Sequence, residues 1–200
     1  ARANHVVMIQ CVGSRNEERP YCSRTCCATA IKNGLKIKEL NPDAKITILY
    51  RDMRTYGLLE SYYTKARNEG MMFSKYEPEG KPVVKKEGEI LSISFMDRIL
   101  KEEMEIKPDL LVLSSATIPR ENEELATMLK VPRTAEGFFL EAHMKLRPVD
   151  FATDGLYLAG SGHGPKLISE SISQASASML SEEIKGKTAH QIYVYSKNLL

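Results

Sequence analysis

HVVMIQCVGSRNEERPYCSRTCCATAIKNGLKIKELNPDAKITILY, residues 5–50, decides the architecture. His5 to Gln10 (HVVMIQ) is an apolar, β-branched run of strand length, and such a run is buried on both faces of a sheet. Cys11 to Tyr21 is polar and broken by Gly13, Asn16 and Pro20, so it is a loop. A helix is predicted from near Ser23 to Leu40, with Ala30, Ile31, Leu35, Ile37 and Leu40 as a partial apolar stripe. Asn41-Pro42-Asp43 stops it, and Lys45 to Tyr50 (KITILY) is a second buried strand. Strand, helix and strand joined by a short turn make a βαβ unit. Two strands joined through a helix must run parallel, so this stretch predicts an α/β fold with a Rossmann-like parallel sheet and helices on both faces.

Outward from this unit the pattern continues. Leu58 to Glu69 is a helix closed by Gly70, and Met71 to Ser74 is a short strand. From Pro82 to Phe95 the chain changes to antiparallel-type strands around Glu87-Gly88, a small antiparallel β element. Asp109 to Ser114 is another strand and Glu121 to Leu129 a short helix. Gly155 to Ala159 is predicted as a strand running into a glycine-rich loop, with a helix from about Pro165 to Ile184. The tail from Lys185 to Leu200 has no clear place in the sheet. Across 200 residues there are 28 basic and 26 acidic side chains, a net charge of +2. That balance gives no reason to expect nucleic-acid binding. No apolar stretch reaches the roughly 18–20 residues of a membrane span, and no secretory leader is visible, so a cytoplasmic location is expected.

The cysteines are unevenly placed. All four, Cys11, Cys22, Cys26 and Cys27, fall in the first loop and the start of the first helix. A disulfide framework spreads its pairs over the fold, whereas thiols gathered in one loop suggest a metal site. Cys26 and Cys27 belong to the first turn of the predicted helix, where unpaired N–H groups favour thiolate. Cys22 stands at or just before its N-cap, and Cys11 ends the preceding strand. All four can meet at the C-terminal edge of the parallel sheet, where α/β folds bind ligands. An adjacent Cys-Cys pair is awkward on one tetrahedral ion and easier on a cubane, so a [4Fe–4S] cluster fits better than zinc. A structural four-cysteine zinc module and ordinary buried or disulfide-linked cysteines stay open. A redox-active dithiol fits the spacing poorly. Arg15, Arg19 and Arg24 lie inside the motif and could offset the charge of a thiolate-ligated cluster.

The second glycine-bearing segment is Gly160-Ser161-Gly162-His163-Gly164, followed by Pro165 and Lys166. Its glycines let a ligand approach the backbone, and a helix N-terminus behind it offers N–H donors. A ligand-free tight turn reads the same way, and His163 and Lys166 could simply face solvent. The chain has no G-x-G-x-x-G, and the cysteine loop occupies the place where a nicotinamide-binding unit carries its glycines. That argues against direct NAD(P)H binding by this unit.

Three segments, IQCVGSRNEERPYCSRTCC, AIKNGLKIKELNPDAKITILYRDMRTYG and GFFLEAHMKLRPVDFATDGLYLAGSGHGPKLISESISQA, together resemble the A subunit of heterodisulfide reductase. This is a flavin and iron–sulfur protein family with a thioredoxin-reductase-like FAD/NAD(P) fold. The quinone-interacting oxidoreductase A subunit shares the cysteine loop and matches HGPKLISESI less well. The resemblance implies that Cys11, Cys22, Cys26 and Cys27 ligate the cluster. It implies that Lys32 stands near flavin N5, and that Gly160, Ser161, Gly162, His163, Gly164, Pro165 and Lys166 form part of an FAD-binding block. A helix dipole aimed at the flavin pyrimidine edge would stabilise reduced flavin.

The family's members are several times longer and begin with a G-x-G-x-x-G unit that this chain lacks. The chain is therefore expected to be a middle piece. Residues 1–115 would be a dinucleotide-domain-like lobe carrying the cysteines, 116–185 the C-terminal part of an FAD-binding domain, and 186–200 a tail. Ser114-Ser115-Ala116-Thr117 stands where relatives of this fold have an Ala-Thr-Gly turn. Weak or absent FAD retention is expected of this piece alone. The intact protein is expected to relay or bifurcate electrons between FAD and the cluster toward a heterodisulfide of two thiol coenzymes, as in methanogenesis. Its partners would be other subunits of such a complex, with ferredoxin or hydrogenase and dehydrogenase donors.

Overall fold

The computed structural model describes residues 3–184, and the chain divides into two compact units, residues 1–117 and 118–200 by chain position. The tail expected at 186–200 lies outside the described residues.

In the first unit, β1 (His5–Val12), β2 (Lys45–Tyr50), β3 (Met72–Lys75) and β7 (Leu110–Ser115) form a parallel sheet of order β3-β2-β1-β7. Between β1 and β2 runs α1 (Cys26–Leu40), and between β2 and β3 runs α2 (Glu60–Asn68). The central strands β1 and β2 are buried on both faces, as their apolar runs require. On one face Val6, Met8, Ile46 and Ile48 pack against Ala30 and Ile31 of α1 and Ala66 of α2. On the other, Val7, Ile9 and Leu49 meet Tyr76, Ile93 and Phe95. The latter two belong to a three-stranded antiparallel sheet of β4 (Val83–Glu87), β5 (Ile90–Met96) and β6 (Glu103–Ile106). This small sheet takes the face that a second helical layer would cover in a doubly wound domain.

Gly34 lets α1 lie close to the sheet. A Cβ there would stand 2.2 Å from the end of the Met71 side chain and 3.6 Å from Ile46. β6 was not legible in the sequence, because Glu103-Met104-Glu105-Ile106 alternates over only four residues. The Glu103–Ile106 segment becomes a strand by pairing with β5 from Ile93↔Ile106 to Met96↔Glu103.

The second unit holds α3 (Glu123–Leu129), a 3₁₀ turn (Gly160–Gly162) and α4 (Ile168–Ile184) around a core of Ala126, Val131, Phe151 and Leu158. The strand expected at 155–159 does not form: a single bridge, Asp150↔Tyr157, is made there. An apolar run becomes a strand only when a neighbour offers it a ladder. The last helix starts at Ile168, not Pro165. Glu170 fixes that start, its carboxylate accepting the Leu167 backbone N–H at 2.8 Å.

Candidate functional site

The cysteines stand where β1 hands over to α1. The register of β1 against β7 slips between Ile9↔Leu113 and Val12↔Ser115, so one strand advances by three residues while the other advances by two. That bulge includes Cys11, whose φ is +60°. A bulge re-aims one side chain out of the alternation, which turns Cys11 toward the loop. Arg15 (φ +57°) and Arg24 (φ +58°) are also left-handed. Among the described residues only Lys101 and Lys130 share that conformation without being glycine. Such backbone costs of order 1–2 kcal/mol per residue and gathers at functional sites.

The helix begins at Cys26, with Thr25 as N-cap. Cys26 and Cys27 are therefore its first two residues, as the spacing implied, while Cys22 lies farther from the cap than expected. The Thr25 side chain makes no capping bond and the first turn has no acidic residue. The N–H groups of that turn are thus left facing the thiols. Cys26 and Cys27 are buried, and Cys11 and Cys22 are partly buried. Arg24 N–H donates to Cys22 Sγ at 3.3 Å, and Cys27 Sγ lies 3.7 Å from the Asp52 carbonyl oxygen.

The thiols sense one another. A hydrogen bond to Cys27, with burial, pushes the Cys26 thiol far up, and the same bond holds Cys27 below the ordinary range. Burial raises Cys11, with the Arg15 guanidinium opposing it and the charges of Cys26 and Cys22 adding to it. Among the described residues no group of three or more His, Cys, Asp or Glu is arranged to hold a metal ion. Zinc at about 2.3 Å from each sulfur needs thiolates roughly 3.8 Å apart, and a cluster with separate iron corners needs a wider set.

Residues beyond the cysteines complete the site. Asp52, just after β2, accepts from Arg15 Nη2 at 2.6 Å and from Lys75 Nζ at 3.3 Å. Arg51 donates to the Arg15 carbonyl. Tyr76 Oη donates to the Gln10 carbonyl at 2.6 Å and is raised to about 12, chiefly by burial. These residues had one sequence signal: Arg51 and Asp52 follow a parallel strand at the same sheet edge as Cys11. Arg15 Nη1 and both amide atoms of Gln10 are buried with no hydrogen-bond partner among the described residues. Four thiols, a buried guanidinium nitrogen without a partner and an uncapped helix N-terminus fit an anionic, thiolate-ligated group.

Lys32 is exposed on α1 and lines a groove of about 1230 Å³ with Ala28, Thr29, Leu35, Leu59 and Tyr62. The glycine loop belongs to the second unit. Gly160 (φ +75°) opens the 3₁₀ turn, so the loop leads into that turn and not directly into α4. Gly160 N–H donates to Gln174 Oε1 at 2.9 Å, which orients the Gln174 amide so that its nitrogen donates to His163 Nδ1 at 2.7 Å. His163 Nε2 then faces Glu141 Oε2 at 2.7 Å. Both ring nitrogens are spent inside the fold, so His163 ties the loop to its neighbours. Ser161 and Gly162 are exposed, Pro165 is buried, and Gly164 (φ +146°) and Lys166 are partly buried.

A parallel sheet with helices and a small antiparallel sheet is the thioredoxin-reductase-like FAD/NAD(P) fold. Thioredoxin reductase from T. acidophilum aligns over 90% of this chain and 53% of its own, at 16% identity and TM-score 0.53. The flavoprotein disulfide reductase RclA from Escherichia coli aligns over 94% of this chain and 38% of its own, at 10% identity and TM-score 0.56. No protein-family model matches the chain.

Curated relatives narrow the class. The chain is 37% identical over 174 residues to the A subunit of the ferredoxin:CoB-CoM heterodisulfide reductase of Methanosarcina acetivorans, covering 85% of this chain and 22% of that protein. It is 40% identical over 181 residues to an iron-sulfur A subunit of the CoB–CoM heterodisulfide reductase of Methanopyrus kandleri, covering 88% and 27%. A third relative, the A subunit of a heterodisulfide,ferredoxin reductase from Methanococcus maripaludis, is 41% identical over 177 residues, covering 84% and 26%. The chain is similar, as a segment, to these heterodisulfide reductase A subunits. It spans about a quarter of the length of these relatives.

Proposed function

We propose that this chain is the cluster-bearing segment of an electron-transferring oxidoreductase of the heterodisulfide reductase type, with Cys11, Cys22, Cys26 and Cys27 as the ligands of a [4Fe–4S] cluster. What supports this reading is that Cys26 and Cys27 are buried at the N-terminus of α1, with Cys11 and Cys22 in the segment before it, and that Arg15 Nη1 is buried without a hydrogen-bond partner among the described residues. When bound, such a cluster supplies an electron carrier whose potential depends on nearby hydrogen bonds and charge. The chain's own part is to hold the thiolates, to exclude water with the buried Cys26 and Cys27, and to present N–H donors. Lys32, and separately the 160–166 segment, are each proposed as FAD-contacting residues of the longer protein. Electrons would pass between that flavin and the cluster, by relay or bifurcation, toward a disulfide acceptor. Other subunits, with ferredoxin or hydrogenase-type donors, would be the partners, in the cytoplasm. Among the described residues no helix is long and apolar enough to cross a membrane.

Iron and sulfide analysis with an absorption spectrum, on protein purified without oxygen, tests this. About four irons and four sulfides per chain with a broad band near ~400 nm that bleaches on reduction is the expected result, and Cys26→Ala should lose both iron and band. One zinc per chain, without sulfide or colour, would establish a structural four-thiolate zinc site instead.

A further inference from the structure

We infer that Arg15 sets the potential of the thiolate-ligated centre, that its Nη1 is the donor held for the ligated sulfurs, and that Asp52 is the residue that positions it. The inference rests on the cluster reading above and goes beyond it by assigning one charge to the task. Three arginines lie between Cys11 and Cys26, at positions 15, 19 and 24. Arg19 points both of its terminal nitrogens at exposed Glu18, at 2.9 and 2.7 Å. Arg24 donates to the Tyr56 hydroxyl at 2.8 Å and stacks over its ring at 5.9 Å. The Arg15 guanidinium instead turns to Asp52 inside the fold, and its charge opposes the upward shift that burial gives the Cys11 thiol. Its side chain is 17% exposed, against 31% for Arg19.

The placement of Arg15 is determined at several points. Its left-handed backbone bends the loop inward. Its N–H donates to the Tyr21 carbonyl at 3.1 Å, and its carbonyl accepts from Arg51. Asp52 grips Nη2 at 2.6 Å, and Lys75 holds Asp52 from the other side. One fork of the guanidinium is thereby fixed, and the other nitrogen, Nη1, is buried without a hydrogen-bond partner among the described residues. A buried donor without an acceptor is costly, and a fold retains such a group where an acceptor arrives with a ligand. Negative charge on the sulfurs is that acceptor, and an arginine fork suits it better than a lysine point charge.

Reduction adds one electron to the centre and leaves Arg15 protonated, so the guanidinium stabilises the reduced, more negative state more than the oxidised one. Removing the positive charge lowers the potential. The test is a mediated redox titration, followed by electron paramagnetic resonance, of the full chain reconstituted with iron and sulfide. Wild type is compared with Arg15→Gln and Arg15→Lys. For Arg15→Gln, the ratio of reduced to oxidised centre at fixed ambient potential should fall about tenfold, which is ~59 mV for a one-electron couple. Arg15→Lys keeps the charge and should recover part of that loss. If Arg15→Gln does not fold, as judged by circular dichroism, the fork is read from Arg15→Lys alone, which should shift in the same direction by a smaller factor. Wild-type potentials in both variants, with normal iron and sulfide, would overturn the role of Arg15 while leaving the cluster reading intact. A wild-type chain that takes up no iron and sulfide would overturn the cluster reading itself.

Discussion

Gln10 is wholly buried, and neither its amide nitrogen nor its amide oxygen has a hydrogen-bond partner among the described residues. It occupies the strand position just before the bulge that reorients Cys11. A buried amide without partners loses the water it had in the unfolded chain and gains nothing. Gln10→Met keeps the volume and removes both polar atoms, so the metal-free chain should become about 1–2 kcal/mol more stable, read as a higher urea midpoint at unchanged slope. An unchanged or lower midpoint would show that the amide is satisfied in solution. Much at this scale was legible beforehand. Four cysteines crowded between residues 11 and 27 point to a shared local purpose, and Cys26 and Cys27 do open the helix. The partner of Arg15 was not legible, because Asp52, itself held by Lys75, is brought beside it only through the pairing of β1, β2 and β3.

Among the elements, the turn between β5 and β6 shows how the antiparallel sheet is tied to the parallel one. Asp97 Oδ1 accepts the backbone N–H groups of Ile99 and Leu100 at 2.8 and 3.0 Å, and Oδ2 accepts from the Ser74 hydroxyl of β3 at 2.5 Å. The Ser74 bond first, then the two backbone donors, hold the Asp97 carboxyl below its usual range. A carboxyl whose folded value lies below its unfolded one stabilises the fold above the unfolded value of 3.8, and that contribution is lost as pH falls through the folded value. Asp97→Ala should therefore cost about 1–2 kcal/mol at pH 7. Its urea midpoint should converge with that of wild type as pH falls below the unfolded value of 3.8 and through the lower folded one. A difference that stays constant as the carboxyl protonates would assign the effect to packing alone. The hairpin itself was readable from Glu87-Gly88, where Gly88 supplies φ +63°. β6 and the strand that fails to form at 155–159 were not, since both outcomes depend on whether a neighbour is present to pair.

Across the whole molecule, the chain divides into two units with separate cores. The first unit's core is built on Val6, Met8, Ile46 and Ile48, each no more than 1% exposed, between sheet and helices. Ile48→Ala removes buried methylenes from a site walled by β1, α1 and α2, so a cost of about 3 kcal/mol is expected from lost transfer energy and the cavity left behind. Hydrogen exchange localises the effect: amides of β1, β2 and α1 should lose protection. Amides of α3 should keep theirs, and equal loss in α3 would show that the two units unfold as one. The separate cores follow from composition along the chain, because the long apolar strands end at Ser115 and the later segments bury shorter apolar runs.

The sequence by itself determined the βαβ unit, the parallel sheet, the hairpin and the crowding of all four cysteines between residues 11 and 27. Each of these follows from local rules: the period of apolar residues, the turn chemistry and the direction in which a strand feeds a helix. Only the tertiary structure decided that Asp52 is the carboxylate that pairs with Arg15, that His163 turns inward, and that an antiparallel sheet covers one face. These depend on residues far apart in the chain, brought together by strand pairing. A side chain's partner is set by what the register places beside it, and register is a property of two strands.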